Sequence, residues 1–454
     1  MNTSTLFFDL SNVTGVCDKI NITGATGKMV LNGANKIALS TPYGSAPAGT
    51  YILMTCSGGM TTNAGATLVL QSAYPNALLS VVGGTNVVLT VTGTGTYGLT
   101  WKGNISDVWD GGVLNWTDGS AAVAYVAGDN VSFDDTAVNF AVSSGSPVSP
   151  ASVLFNNSTR DYTVSAAIAG AIPMLKLGAG VLTLSGVNTY TGPTTIGGGT
   201  FTIGGAGLLG NGNYATNIIN NGAFTYASSS AQILSGILSG PGGLTLTNSG
   251  TLTLTGVNTY AGVTTVNGPG TLIISGNNAA CSGQTIINGG VLRALHANAL
   301  GTVGANTIVT TNGTLEIAGN ITTAAEPLSL FGTLSSQSGT NTYAGAVTVQ
   351  TGPTFDVATG SILILSTSIG GSAPFTKIGG GTLRFTYDPN NTGPMTIKEG
   401  VAEITSGTTD GDIVINSGAM FLATGGNAIN DAKSVTVDAG GVYNLRQSDT
   451  INMF

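Results

Sequence analysis

Apolar and polar residues alternate along most of this chain with a period of two. In Leu182-Thr183-Leu184, Leu252-Thr253-Leu254 and Leu383-Arg384-Phe385 the apolar side chains fall on one face of an extended backbone, and Thr or Arg falls on the other. Gly or Asn interrupts this alternation every eight to twelve residues, and no stretch carries the three-to-four spacing of an amphipathic helix. The pattern predicts short strands joined by turns from end to end.

The strands and turns recur in a fixed order. Gly186-Val187-Asn188-Thr189-Tyr190-Thr191-Gly192 is repeated as Gly256-Val257-Asn258-Thr259-Tyr260-Ala261-Gly262, and its core returns as Asn341-Thr342-Tyr343-Ala344-Gly345. Each copy precedes a strand-like run: Thr194-Thr195-Ile196, Thr264-Thr265-Val266 and Val347-Thr348-Val349. The interval Gly180 to Gly192 is matched by Gly250 to Gly262 and by Gly381 to Gly393, where Pro389 and Asn391 stand in place of Asn188 and Tyr190. Strand, corner and strand in repetition is the signature of a solenoid, here a parallel β-helix of roughly 20–25 residues per coil with coils about 4.8 Å apart. Stacked Leu, Ile, Val and Ala would form its core, each large apolar side chain contributing on the order of 1.5–3 kcal/mol.

The repeat residues read as corner devices. Gly, and to a lesser degree Asn, accepts the positive φ of a tight corner, and stacked Asn side chains can hydrogen-bond along a ladder. On this reading Asn188, Tyr190, Gly192, Asn258, Tyr260, Gly262, Asn341, Tyr343 and Gly345 are structural, with each Tyr hydroxyl reaching water.

Three regions differ in texture. Residues 1–100 are β-rich, with Asp18-Lys19-Ile20-Asn21-Ile22-Thr23-Gly24 and Gly49-Thr50-Tyr51-Ile52-Leu53-Met54-Thr55 as strands, and read as the first coils. Residues 101–165 hold all three tryptophans (Trp101, Trp109, Trp116) and a concentration of Asp. Residues 166–454 hold the clear repeats. No charged or Pro-rich linker separates the three, so they read as one continuous stack.

Composition narrows the partners. Only 7% of the 454 residues are charged, Lys and Arg total 12 without clustering, and the net charge is −8. A nucleic-acid binder needs a basic stripe and an anionic membrane attracts one, so neither is expected as a partner. Cys17, Cys56 and Cys281 are widely spaced and read as small apolar residues. No basic leader with a long apolar core is read at the start, and no run of eighteen apolar residues is present.

The segment Leu182-Thr183-Leu184-Ser185-Gly186-Val187-Asn188-Thr189-Tyr190-Thr191-Gly192-Pro193-Thr194-Thr195-Ile196, continued by Gly199-Thr200-Phe201 and Leu209-Gly210, resembles the autotransporter-associated β-strand repeat. Gly289-Gly290-Val291-Leu292 with Leu300-Gly301 resembles its second half. Trp101-Lys102-Gly103, Val108-Trp109-Asp110, Asn115-Trp116 and Gly128 to Asp135 look like a common companion of such repeats in large secreted proteins, as does Asn427 to Asp431 with Ser434 to Val437. The resemblance covers most of residues 101–454. It implies a right-handed parallel β-helix on or outside a bacterial cell. The aromatic girdles of a terminal outer-membrane barrel are not read at Ile451-Asn452-Met453-Phe454, so a barrel removed from the chain or a separate export machinery is expected.

Chemistry has few places to reside. Between Tyr162 and Leu315 there is no Asp or Glu, which excludes paired-carboxylate hydrolysis in the best repeats. His296 is the sole histidine, so it cannot belong to a multi-histidine zinc site. Glycine runs such as Gly197-Gly198-Gly199 lack the Lys-Ser/Thr and the helix that a phosphate loop requires. The Asp-rich segment is the one candidate for metal: Asp129, Asp134 and Asp135 would be hard oxygen ligands for Ca2+. Exposed Trp109 and Trp116 would make a glycan platform, or the tryptophans would plug an irregular core. The leading expectation is a non-enzymatic extracellular structural or adhesive rod with no required cofactor, able to assemble with itself into filaments or a surface layer. The alternative is a carbohydrate-active enzyme or glycan-binding module with its site in 101–161 or 316–454.

Overall fold

The computed structural model describes residues 5–9, 17–23, 28–40, 49–63, 66–70, 77–91, 98–119, 121–425 and 428–446. Of the positions named above, Gly24, Asn427 and 451–454 lie outside these. The described residues are strands and turns with a single short 3-10 turn, Gly210–Gly212. No helix among them is long and apolar enough to cross a membrane.

The chain divides into two compact units, one of 1–160 with 166–175 and one of 161–165 with 176–454. In the first, Thr5–Asp9, Ala34–Ser40 and Thr67–Leu70 pair side by side in parallel. Ile20–Ile22 pairs in parallel with Gly49–Cys56, and Met29–Leu31 with Met60–Thr62. Pairing then changes direction. Asn86–Val91 runs antiparallel to both Gly49–Cys56 and Ala77–Val82. The hairpin turn closes through Thr85 N–H donating to the Val82 carbonyl, with φ of 63° at Gly83 and 68° at Gly84. Two successive positive φ values match the right-handed strand twist, and glycine adopts them without strain. Phe8, Leu31, Ile37, Tyr51, Leu53 and Leu89 are among the side chains of the core beneath these strands.

The second unit is a parallel β-solenoid. One twelve-stranded sheet runs from Asn213–Tyr214 to Val435–Val437, and a second face runs from Tyr162–Val164 through Val181–Leu184 to Ile369–Gly370. Leu252 pairs with Leu272 and Leu272 with Leu292, a step of 20 residues; Leu182 to Phe201 is 19 and Leu292 to Leu315 is 23. Equal apolar residues therefore stack above one another, and Leu252, Leu272, Leu292 and Leu315 are each fully buried. The outer residues stack in the same register: Thr163, Thr183, Thr202, Thr225, Thr245 and Thr265 form one column along the second face.

Strands Thr194–Ile196, Ile218–Asn220 and Leu238–Ser239 form a further face in the early coils, and from Thr340 a six-stranded face begins, made of Thr340–Tyr343, Ile362–Leu365 and their successors up to Val442–Leu445. This alters the third copy of the repeated phrase. Asn341, Thr342 and Tyr343 lie inside a strand paired with Ile362–Leu365, whereas Asn188–Tyr190 and Asn258–Tyr260 lie between strands. The corner expected there is a strand because its backbone pairs in parallel with Ile362–Leu365 of the next coil.

Candidate functional site

The Trp- and Asp-rich segment folds around an aromatic knot. Leu99–Trp101 pairs antiparallel with Trp116–Thr117, which sets Trp101 opposite Trp116. Their rings meet edge to face at 5.0 Å, Trp109 meets Trp116 at 5.4 Å, and Phe133 stacks flat on Phe155 at 4.3 Å. Such edge-to-face and stacked pairs add about 0.5–1.5 kcal/mol each beyond the area they bury. Gly103 lies against the Trp101 indole with φ of 58°, a place where a side chain would strike the ring nitrogen. Asn115, fully buried, holds the loop before Trp109: its Oδ1 accepts from the Ile105 and Ser106 N–H groups, and its Nδ2 donates to Ser106 Oγ and the Val108 carbonyl.

Two expectations concern this segment. Trp109 is 0% and Trp116 1% exposed, so neither presents a face to a glycan; both plug the core, and their indole N–H groups have no hydrogen-bond partner among the described residues. The carboxylates do not converge on a metal. Asp129 Oδ2 accepts from the Val126 N–H at 2.7 Å, Asp134 Oδ1 from the Thr136 N–H, and Asp135 from the N–H groups of Ser158, Thr159 and Arg160. Asp129 and Asp134 cap their own turns, and Asp135 caps the turn 158–160 more than twenty residues later, the ordinary use of a short acid beside free backbone donors. Burial acts to raise the Asp135 carboxyl, but those three donors outweigh it and hold it below the usual range. Among the described residues no three His, Cys, Asp or Glu side chains gather as metal ligands would.

A cleft of about 430 Å³ opens beside the knot, lined by Val108, Trp109, Asp110, Tyr125, Pro147 and Ser149 among others. Asp110 Oδ1 is occupied by the Gly112 and Val113 N–H groups. Burial pushes the Tyr125 phenol up to about 12, so it is neutral, and its hydroxyl lies buried behind the cleft wall.

The repeats carry a second polar constellation, and it points inward. Tyr190, Tyr260 and Tyr343 are 0%, 2% and 0% exposed, so their hydroxyls do not reach water. The Tyr190 hydroxyl lies 2.8 Å from Thr194 Oγ1, which is 2.8 Å from the Tyr214 hydroxyl; Tyr260 pairs with Thr264 at 2.7 Å. Tyr343 has Val347 where the others have Thr, and donates to the Glu326 carbonyl at 2.7 Å. Asn188, Asn258 and Asn341 are buried, with side-chain amides donating to backbone or to a neighbouring polar side chain. The glycines at these positions act through proximity and not through positive φ: a Cβ on Gly262 would collide with the Gly242 backbone, and one on Gly345 with the Glu326 carbonyl. Gly192 offers its carbonyl to the Tyr214 hydroxyl at 2.5 Å.

Three buried ionisable residues went unread in the sequence. Lys176 and Lys377 point into the solenoid; the Lys176 ammonium donates to the Leu177 and Gly178 carbonyls, and that of Lys377 to the Ile378, Gly379 and Glu399 carbonyls. Burial pulls Lys377 down to about 8 against the opposing pull of Asp356 and Glu399. The signal was present, since alternation puts Lys176 on the face of Met174 and Lys377 on that of Phe375. Glu326 is 0% exposed; its Oε1 accepts from Thr307 Oγ1 at 2.6 Å, its Oε2 has no partner, and burial pushes its carboxyl up to about 7. His296 lies on a loop, where its Nδ1 accepts from the Asn298 N–H.

Four stretches match the passenger-associated-transport-repeat: 174–203, 244–268, 267–294 and 375–401. This is the autotransporter-associated β-strand repeat, and the chain carries it. The last stretch includes the copy that lost Asn and Tyr, whereas Asn341–Gly345 falls outside all four. No curated protein and no solved structure matches the chain.

Proposed function

We propose that this chain, a β-solenoid carrying the passenger-associated-transport repeat four times, is a non-enzymatic passenger-type protein that acts outside a bacterial cell as a structural or adhesive spacer. The observation that carries the reading is the outward threonine column from Thr163 to Thr265, in register over six coils of a stretch without carboxylates. A rigid, hydroxylated, uncharged face suits display, contact with neutral surfaces, or lateral assembly into filaments or a layer, and right-handed coiling is the expected hand for the repeat. What supports a non-catalytic role is that the Asp carboxylates of 129–135 are engaged by backbone donors, which leaves them poor acids and bases. Incubating the purified protein with a panel of polysaccharides, with and without calcium, should release no new reducing ends or unsaturated products. Product formation that disappears in an Asp134→Ala, Asp135→Ala double variant would overturn this reading.

A second reading rests on the cleft beside Trp109 and Tyr125, whose volume of about 430 Å³ falls in the range of small-ligand sites. A neutral sugar end would meet an apolar wall and the exposed Ser149 hydroxyl. A glycan array compared between wild type and a Ser149→Ala variant tests it; equal binding by both rejects it.

A further inference from the structure

Glu326 is a carboxyl group buried inside a stack of coils that offers it a single hydrogen bond. Thr307 Oγ1, one coil earlier, donates to Oε1 at 2.6 Å. Oε2 faces no donor, and the side chain is fully enclosed. Its backbone is equally confined: the Tyr343 hydroxyl of the next coil donates to the Glu326 carbonyl, and Gly345 packs against that carbonyl so closely that no Cβ fits.

The groups around it are neutral. Tyr343 is the titratable side chain that senses Glu326, and burial holds its phenol well above its ordinary value. Glu316, earlier in the chain on Gly313–Ile317, is paired with Arg293 at 2.8 Å. His296 stands on the loop whose Ala297 carbonyl accepts from the Ala324 N–H, and its Nδ1 accepts from the Asn298 N–H. No lysine or arginine is found between Arg293 and Lys377 in the sequence.

A carboxylate in such a place lacks both a counter-charge and the two or three donors that normally stabilise an ionised carboxyl; a neutral carboxyl needs neither. In the same column as Thr307, two coils earlier, Thr264 forms a neutral hydroxyl pair with Tyr260. Packing in this coil therefore depends on a proton.

We propose that the segment from Thr307 to Val349 is a pH-responsive element of the solenoid, tightened when Glu326 holds a proton and loosened when that proton passes to solvent. The linkage has a definite sign. A carboxyl raised in the folded state binds more protons folded than unfolded, so its contribution is greatest below the ordinary Glu range and declines as pH rises through its folded value near 7. A secreted solenoid with this element would be firmest in a mildly acidic surrounding and would open locally at this coil above neutrality.

The test is hydrogen exchange on the full chain, corrected for the intrinsic pH dependence of exchange, with peptides from 307–349 compared against peptides from 194–254 in the same sample. Between about pH 5.5 and about pH 8 the wild-type 307–349 peptides should lose protection by roughly tenfold to a hundredfold relative to the reference peptides. Glu326→Gln should abolish this relative loss, and His296→Asn should keep it. Thr307→Val, which removes the one donor to the carboxylate, should move the transition to higher pH. The proposal is overturned if the wild-type ratio is flat with pH, if Glu326→Gln retains the wild-type slope, or if Thr307→Val moves the transition downward or leaves it in place. Should Glu326→Gln fail to fold, the wild-type ratio and the Thr307→Val shift decide the matter.

Discussion

The Asn258 side-chain amide donates to the Asn278 side-chain oxygen at 3.0 Å, linking two successive coils inside the solenoid wall. Asn258 also accepts from the Leu238 N–H of the coil before and donates to its own Gly256 carbonyl. One side chain therefore joins three coils, and both residues are about 1% exposed. Asn278 passes the link onward to the Ala299 carbonyl.

Asn258→Ala strands the buried Leu238 N–H and the Gly256 carbonyl at once. A loss of about 1–3 kcal/mol is expected, felt first by the adjoining coils because repeat stabilities add locally. Urea unfolding with exchange protection of the 231–278 strands measures it. A midpoint equal to wild type would mean that water replaces the amide.

Gly345 and Gly370 separate crowding from flexibility. A Cβ on Gly345 meets the Glu326 carbonyl, whereas one on Gly370 meets nothing within 4 Å. Gly345→Ala should cost about 3 kcal/mol and Gly370→Ala less than about 0.5 kcal/mol, read from paired melting curves. Similar losses in the two would contradict the close approach of coils at Gly345.

Lys377 makes the alkaline side of the stability curve informative. Its folded pKa near 8 lies below the ordinary lysine value, so the folded chain holds fewer protons than the unfolded one between the two. Stability should therefore rise as pH increases from about 8 to about 10.5, by an amount on the order of 1–3 kcal/mol. Lys377→Met should remove this rise while orphaning the carbonyls of Ile378 and Gly379. A rise of equal size in the variant would assign it to another group.

Calcium should be dispensable. Because Asp129, Asp134 and Asp135 already satisfy backbone donors, a chelator should leave the melting curve of the wild type unchanged. Asp135→Asn should destabilise by about 1 kcal/mol, because the three backbone donors then face a neutral acceptor. Its depressed carboxyl contributes stability that is present above the ordinary Asp range and is lost as pH falls, so the variant should approach wild type in acid. Calcium-dependent melting of wild type, abolished in the variant, would restore the metal site.

Much of the fold is legible in the alternation itself. The chain has strands where apolar and polar residues exchange places, and Leu182, Leu252 and Leu383 sit in the core as their period requires. A recurring phrase at near-constant intervals determines stacking, because equal coils bring equal side chains into register and a period of two admits only two faces. What tertiary structure alone decided is the environment of the polar residues. Alternation assigned Tyr190 and Tyr343 no side, and the stacked coils drew them inward to partners 4 and 17 residues away in the chain. Trp109 and Trp116 are plugs because Phe133 and Tyr125 close over them. Glu326 lacks a second donor because the Tyr343 hydroxyl of the next coil is directed to its backbone carbonyl and not to its carboxyl. Hydrophobic burial follows local period and can be read along one strand; satisfying a buried hydroxyl, ammonium or carboxyl depends on which atoms the next coil presents, and only the stack supplies that.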